Sequence, residues 1–109
     1  MKLEFRTRLP LAFAGLTLAA CAQPSRVYFG TSHSRGIYVS DFDSRTGKLS
    51  DPRLAIETED CGFIVFHPGR KLLYSTGVSA FKINEDGTLA VINTQSTEGG
   101  RACHVNIDA

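Results

Sequence analysis

The 109-residue sequence has no tryptophan, only three cysteines and a net charge of only +1. This near balance of charge gives no argument for a nucleic-acid partner, because that binding needs an excess of basic residues. No Cys/His spacing is typical of a zinc site, and no Asp/Asn/Gly loop is typical of a calcium site. A Gly-rich phosphate loop and a serine-nucleophile motif are also missing. We therefore expect no metal, no cofactor and no nucleic acid.

The first twenty residues differ in composition from the rest of the chain. MKLEFRTR carries Lys2, Arg6 and Arg8, and the uncharged stretch LAFAGLTLAA follows at residues 11–20. Such a stretch rises about 15 Å as a helix, roughly half of the hydrocarbon thickness of a bilayer. A basic end followed by a short apolar stretch predicts a secretory signal peptide over residues 1–20.

The junction Leu18-Ala19-Ala20-Cys21 resembles a bacterial lipobox, in which the cysteine is lipid-modified and becomes the new N-terminus. This predicts lipidation of Cys21 and a membrane anchor that faces the periplasm. Ala22 favours the outer over the inner membrane, and residues 21–26 form a short tether. The alternative is an ordinary signal peptide with a cysteine there by chance.

The other two cysteines, Cys61 and Cys103, would lie in an oxidising compartment if the chain is exported. We expect two buried free thiols, and a disulfide between them is the alternative, because sequence alone gives no geometry.

Beyond residue 26 the sequence is strand-like, with Gly-containing turns at residues 44–48, 67–70 and 84–87. The continuous apolar run Phe63–Phe66 predicts a strand buried on both faces. The predicted strands include Val27–Thr31, Gly36–Phe42, Phe63–Phe66, Leu72–Tyr74, Val78–Ile83 and Leu89–Ile92. The segment Tyr74–Val78 joins two of these strands unusually tightly.

The sequence also contains an internal repeat. The segment 37–43, a Gly turn and Leu49 match the segment 78–84, a Gly turn and Leu89, with offsets of 41 and then 40 residues. Residues 62–66 then match residues 103–107. A period near 40 with about four short strands predicts an all-β protein, a β-propeller of four-stranded antiparallel blades. A β-sandwich would explain the short strands but not the in-phase turns.

Residues 27–109 contain about two such blades, whereas a propeller closes with about four to eight. We therefore expect a partial propeller domain, belonging either to a fragment of a longer protein or to a truncated product. A free-standing domain of this size would leave strand edges open to aggregation.

The ordered set of short motifs carries a family resemblance. The motifs are VYFGT at 27–31, GIY at 36–38, TGKL at 46–49, ETE at 57–59, an apolar strand ending in His67-Pro68, VSAF at 78–81 and CHV at 103–105. Together they resemble the N-terminal part of the seven-bladed β-propeller lactonase family, which includes propeller-type 6-phosphogluconolactonases. The resemblance implies a metal-independent lactone hydrolase acting on a small-molecule lactone, with most catalytic positions in later blades.

His104 is the candidate catalytic residue, because the inner strands of a propeller line a shared channel and His104 begins such a strand. Its imidazole is suited to act as a general base or to bind a substrate oxygen, and a local hydrogen bond is the alternative. Arg101 is the candidate substrate-binding residue, for an anionic group, and a solvated loop arginine is the alternative. We interpret His67 as structural. The weaker candidates are His33 and Arg35 in an exposed loop, and an acidic cluster at a strand end just before an inner strand, Glu57, Glu59 and Asp60, for which a solvated turn is the alternative.

Sugar phosphates are cytosolic, so an exported lactonase is expected to meet an unphosphorylated sugar lactone or another cyclic ester. The first alternative is a non-catalytic, surface-anchored binding module, since a propeller fold does not fix its function. The second is an inactive truncated product. No obligate protein partner is evident from the sequence.

Overall fold

The computed structural model describes residues 25–100 and 102–108, and within these ranges the chain forms two antiparallel sheets. In the first sheet, β2 pairs with β1 along one edge and with both β3 and β4 along the other. The second sheet has the order β5-β6-β7-β8. The strands are β1 (Ser25–Phe29), β2 (Gly36–Asp43), β3 (Lys48–Leu49), β4 (Arg53–Glu57), β5 (Ile64–Phe66), β6 (Leu72–Ser75), β7 (Ser79–Ile83) and β8 (Leu89–Thr94).

The predicted repeat is confirmed by the register of the two sheets. Phe42 pairs with Leu49 across the β2–β3 turn, and Ile83 pairs with Leu89 across the β7–β8 turn. Gly47 and Gly87 lie in these turns with φ of +77° and +93°, a conformation that glycine adopts without steric cost. Each sheet consists of consecutive strands, and the chain passes from one sheet to the next once, as in successive blades of a propeller.

Several strand boundaries differ by one or two residues from the sequence-based expectation, and two of these differences change the role of a residue. β1 begins at Ser25, so Ser25 and Arg26 pair with β2 instead of lying before the first strand. Val78 was expected in a strand but lies in the β6–β7 loop with φ of +54°, and its N–H donates to the Ser75 carbonyl at 2.9 Å. The loop 76–78 is as tight as predicted, and such three-residue hairpins place one residue in the left-handed region.

The core lies between the sheets and draws its apolar side chains from both. The buried members are Ile37, Val39, Ala55, Cys61, Leu73, Phe81 and Leu89. The strand β5 was expected to be buried on both faces, and this is wrong, because Phe63 just before it is 39% exposed and Phe66 within it is 49% exposed. β6 pairs with this strand and Tyr28 of the first sheet contacts Phe66, yet part of its surface stays open.

A cluster of polar side chains on the first sheet forms hydrogen bonds with the β7–β8 turn of the second sheet. We call Arg26, Tyr28, Asp41 and Arg53 the Tyr28 cluster. Arg26 donates to the Glu85 carbonyl at 2.6 Å, Arg53 to the Asp86 carbonyl at 2.9 Å, and the Tyr28 hydroxyl to the Gly87 carbonyl at 2.7 Å. Asp41 lies 3.6 Å from Arg26 and 3.4 Å from Arg53 and offsets part of their positive charge. All three donors contact main-chain oxygens of the turn.

Cys61 and Cys103 are both free thiols, so the disulfide alternative does not hold in this structure. Cys61 is buried as expected and its thiol lies 3.1 Å from the Thr31 carbonyl, whereas Cys103 is exposed. The segment 102–108 forms no strand, although the repeat predicts one. Its counterpart β5 pairs with β6, the strand that follows it in the chain, and no described residue takes that place beside 102–108.

Candidate active site at one end of the sheets

The strand directions place two groups of connections at opposite ends of the sheets. The loops 30–35, 58–63, 76–78 and 95–100 meet at one end, which we call the loop end. Hydrogen bonds from Thr58 N–H to the Arg35 carbonyl and from Gln95 N–H to the Val78 carbonyl join these loops. The turns 44–47, 67–71 and 84–88 lie at the other end, which we call the turn end.

His104 lies at the loop end and packs on the ring of Phe63. The two ring centroids are 4.3 Å apart, with an angle of 49° between the ring planes. Phe63 and His104 occupy the same position in successive repeat units, just before or at the start of the inner strand. Their contact therefore brings two equivalent positions of the repeat side by side. The His104 side chain is exposed.

A cavity of about 300 Å³ opens beside this ring pair. It lies between the loops of both sheets and the segment that leads to His104. Its lining residues are Ser32, Asp60, Gly62, Phe63, Thr76, Ala102 and Cys103. A second cavity of about 300 Å³ shares Asp60, Thr76 and Ala102 with it and extends along the loop 95–100. A volume of about 300 Å³ is at the lower end of the range for ligand sites, and the lining of the first cavity combines one aromatic side chain with several polar groups.

Arg35 and Glu57 are also at the loop end, but they satisfy each other. The Arg35 guanidinium donates twice to one oxygen of Glu57, at 2.8 and 3.0 Å. The hydrogen bond with Glu57 and the carboxylate charge raise the pKa of Arg35 above its ordinary value. Both side chains are exposed, so this ion pair is worth little to stability, and it occupies the groups that were candidates for binding or acid–base chemistry.

The other acidic candidates and His33 are exposed on the same loops. Asp60 lines both cavities, has a φ of +51° and accepts a hydrogen bond from the Thr76 hydroxyl on its main-chain oxygen at 2.9 Å. His67, in contrast, lies at the turn end, where its Nδ1 accepts the Gly69 N–H at 3.0 Å. This local turn hydrogen bond agrees with the structural role predicted for His67.

Arg101 and Cys21 lie outside the described residues. Among residues 25–100 and 102–108, no group of three or more His, Cys, Asp or Glu side chains is arranged to hold a metal ion. Within the same ranges, no helix is long and apolar enough to cross a membrane.

The sequence reasoning missed Phe63 and Thr76, which lie at the cavity with Asp60. The repeat contained a signal for Phe63, because the match of residues 62–66 to 103–107 places Phe63 and His104 at the same position of the repeat. The contact itself depends on how one unit sits on the next, which periodicity does not give.

Two four-stranded units in succession define the class of the protein as a β-propeller. The chain belongs to the seven-bladed β-propeller lactonase family, whose model matches residues 26–109. A protein of Bacillus subtilis named 6-phosphogluconolactonase is 32% identical over 92 residues, covering 74% of this chain and 26% of that protein. An uncharacterized protein of Staphylococcus saprophyticus is 29% identical over 90 residues, and the match covers 72% of this chain and 26% of that protein.

A crystal structure from Bacteroides fragilis, described as a "putative 6-phosphogluconolactonase", is similar with a TM-score of 0.70 and 28% identity. The match covers 79% of this chain and 27% of the chain in that structure. The chain therefore spans about a quarter of the length of the relatives it matches.

Proposed function

We propose that the complete protein containing this segment hydrolyses a sugar lactone at the loop end, with His104 as the general base. The observation that carries the proposal is the placement of an exposed imidazole on Phe63, beside a cavity of about 300 Å³. Support also comes from the family to which the chain belongs and from a relative named 6-phosphogluconolactonase.

The chemistry requires one proton acceptor and one site for the developing oxyanion. Water attacks the lactone carbonyl carbon while the His104 imidazole accepts its proton. The tetrahedral intermediate collapses with cleavage of the ring C–O bond, and the proton passes from the imidazolium to the leaving ring oxygen. The product is the open-chain hydroxy acid, and no metal or cofactor enters the step.

The test is a lactone-hydrolysis assay on the complete protein, with acid release followed in a pH-stat and spontaneous hydrolysis subtracted. His104→Ala is expected to lower kcat by about 100-fold, because a general base typically contributes 10²- to 10⁴-fold. His67→Ala is the matched control, since it removes a histidine from the turn end. Equal activity of the two variants would overturn the assignment of His104.

Glucono-δ-lactone and its 6-phosphate, assayed side by side, identify the substrate class. Arg101→Gln is expected to raise KM for the anionic 6-phosphate and to leave KM for the uncharged lactone unchanged.

We also propose that the protein is exported and anchored by lipid on Cys21. The sequence at residues 1–21 supports this proposal, with its basic end, its short apolar stretch and its lipobox-like junction. Cys21→Ser is expected to abolish labelling with radioactive palmitate and to release the protein from the membrane fraction. Unchanged fractionation of this variant would contradict the anchor.

A further inference from the structure

We propose that Phe63 is a positioning residue that sets the orientation of the His104 imidazole for the reaction. This inference rests on the proposed function of His104. Phe63 is 39% exposed and lies on the cavity wall, so its ring contributes less to the core than a buried ring would. Its ring contact is with the imidazole, at a centroid distance of 4.3 Å.

The main chain of Phe63 is held on both sides by Thr76. The Phe63 N–H donates to the Thr76 hydroxyl at 3.4 Å, and the Thr76 N–H donates to the Phe63 carbonyl at 3.0 Å. The same hydroxyl donates to the Asp60 carbonyl at 2.9 Å. Thr76 is buried, so water competes little with these hydrogen bonds. The segment 60–63 is thus fixed to the β6–β7 loop.

The residues before Phe63 are fixed to the first sheet. A Cβ on Gly62 would lie 2.3 Å from the Ser32 hydroxyl oxygen, so the two loops approach closely here. The Cys61 thiol donates to the Thr31 carbonyl at 3.1 Å. Phe63 therefore projects from a backbone anchored to both sheets, which makes its ring a rigid support.

His104 itself has no such anchor among the described residues. It is exposed, it lies in a segment without strand pairing, and no hydrogen bond to its imidazole is formed within residues 25–100 and 102–108. An imidazole that is free to rotate spends little time in a geometry suited to proton abstraction. A tilted ring contact restricts that rotation, and aromatic pairs are favourable in tilted and edge-on arrangements.

The first test is spectroscopic and uses the complete protein. The Cδ2–H and Cε1–H signals of His104 are recorded by NMR in wild type, Phe63→Leu and Phe66→Leu. Phe66→Leu is the matched control, because it removes an aromatic ring at the turn end of β5, the strand that directly follows Phe63. We expect Phe63→Leu to shift the His104 signals and Phe66→Leu to leave them in place. Unmoved His104 signals in Phe63→Leu would refute the contact.

The second test is kinetic. We expect Phe63→Leu to lower kcat about tenfold with KM changed less than twofold, because orientation and not binding is lost. Phe63→Tyr keeps a ring in place and is expected to restore most of kcat. Wild-type kcat in Phe63→Leu, combined with an inactive His104→Ala, would overturn this inference alone. Full activity of His104→Ala would instead overturn the proposed function.

Discussion

The hydrogen bond from Tyr28 to the β7–β8 turn gives a quantitative prediction for Tyr28→Phe. The change removes one hydroxyl and keeps the ring, whose centroid lies 5.7 Å from that of Phe66 across the two sheets. The Gly87 carbonyl, in a buried glycine, loses its 2.7 Å partner. A net hydrogen bond is worth about 1 kcal/mol, and an unsatisfied buried acceptor costs more, so we expect a loss of about 1.5 kcal/mol.

The assay is urea unfolding of matched variants. With an m value of about 1.5 kcal/mol/M, the midpoint should fall by about 1 M while m stays constant. Tyr38→Phe is the control, because the Tyr38 hydroxyl bonds to Ser34 at 2.9 Å in an exposed position where water replaces it. We expect Tyr38→Phe to change the free energy of unfolding by less than about 0.5 kcal/mol. Equal losses in the two variants would refute the assigned role of the Tyr28 hydroxyl.

The pH dependence of Tyr28→Phe provides a second readout. Burial raises the pKa of Tyr28 above 10.0, and the charges of Arg26 and Arg53 oppose part of this shift. The folded state therefore holds the phenol proton more tightly than the unfolded state does. This contribution to stability is fully present below pH 10 and is lost as the pH rises through the folded-state pKa. The stability gap between wild type and Tyr28→Phe should narrow above pH 10, and a constant gap would contradict the burial argument.

Three further predictions concern single turns and loops. Val78→Gly should raise the free energy of unfolding by about 1 kcal/mol in urea titrations, because it relieves a φ of +54°, whereas Val78→Leu should give no gain. Gly30→Ala should lower it by at least about 2 kcal/mol, since the new Cβ would lie 2.2 Å from a main-chain oxygen, and Gly69→Ala, with open space around its Cβ, should be nearly neutral. The hydrogen bonds from Thr88 lower the pKa of Asp86, so its stabilising effect is present above about pH 4 and is lost as the pH falls through the folded-state pKa. Thr88→Val should raise that pKa in an NMR titration, and an unmoved Asp86 titration would contradict this.

Much of the fold follows from local signals in the sequence. Alternating residues in Gly36–Asp43 and the glycines at positions 47 and 87 predict strands and turns that depend on neighbours within about ten residues. Val78 was expected in a strand because the repeat matches it to Ile37, which lies in β2. The pairing of Ser75 with Ser79 instead leaves residues 76–78 as the turn.

The site was less predictable because it depends on contacts between units. The sequence identified His104 as a candidate but not its contact with Phe63. These residues are 41 positions apart in the chain, and their contact depends on how one repeat unit packs against the next segment. The donors Arg26 and Arg53 bind main-chain oxygens, which every residue carries, so no motif marks them. Arg101 stays a prediction, since it lies outside the described residues.

The contact between the Tyr28 cluster and the β7–β8 turn has a consequence for how such units diverge. Because the acceptors are carbonyl oxygens, the contact does not depend on the side chain of Glu85, whereas it does depend on the length of the turn and on the conformation of Gly87. Tyr74 pairs with Ala80 as Tyr28 pairs with Val39, so the second unit carries a phenol at the same register. The first unit carries Gly47 in the turn that corresponds to that of Gly87, so each unit contains both the position of the phenol and the glycine turn that accepts its hydrogen bond.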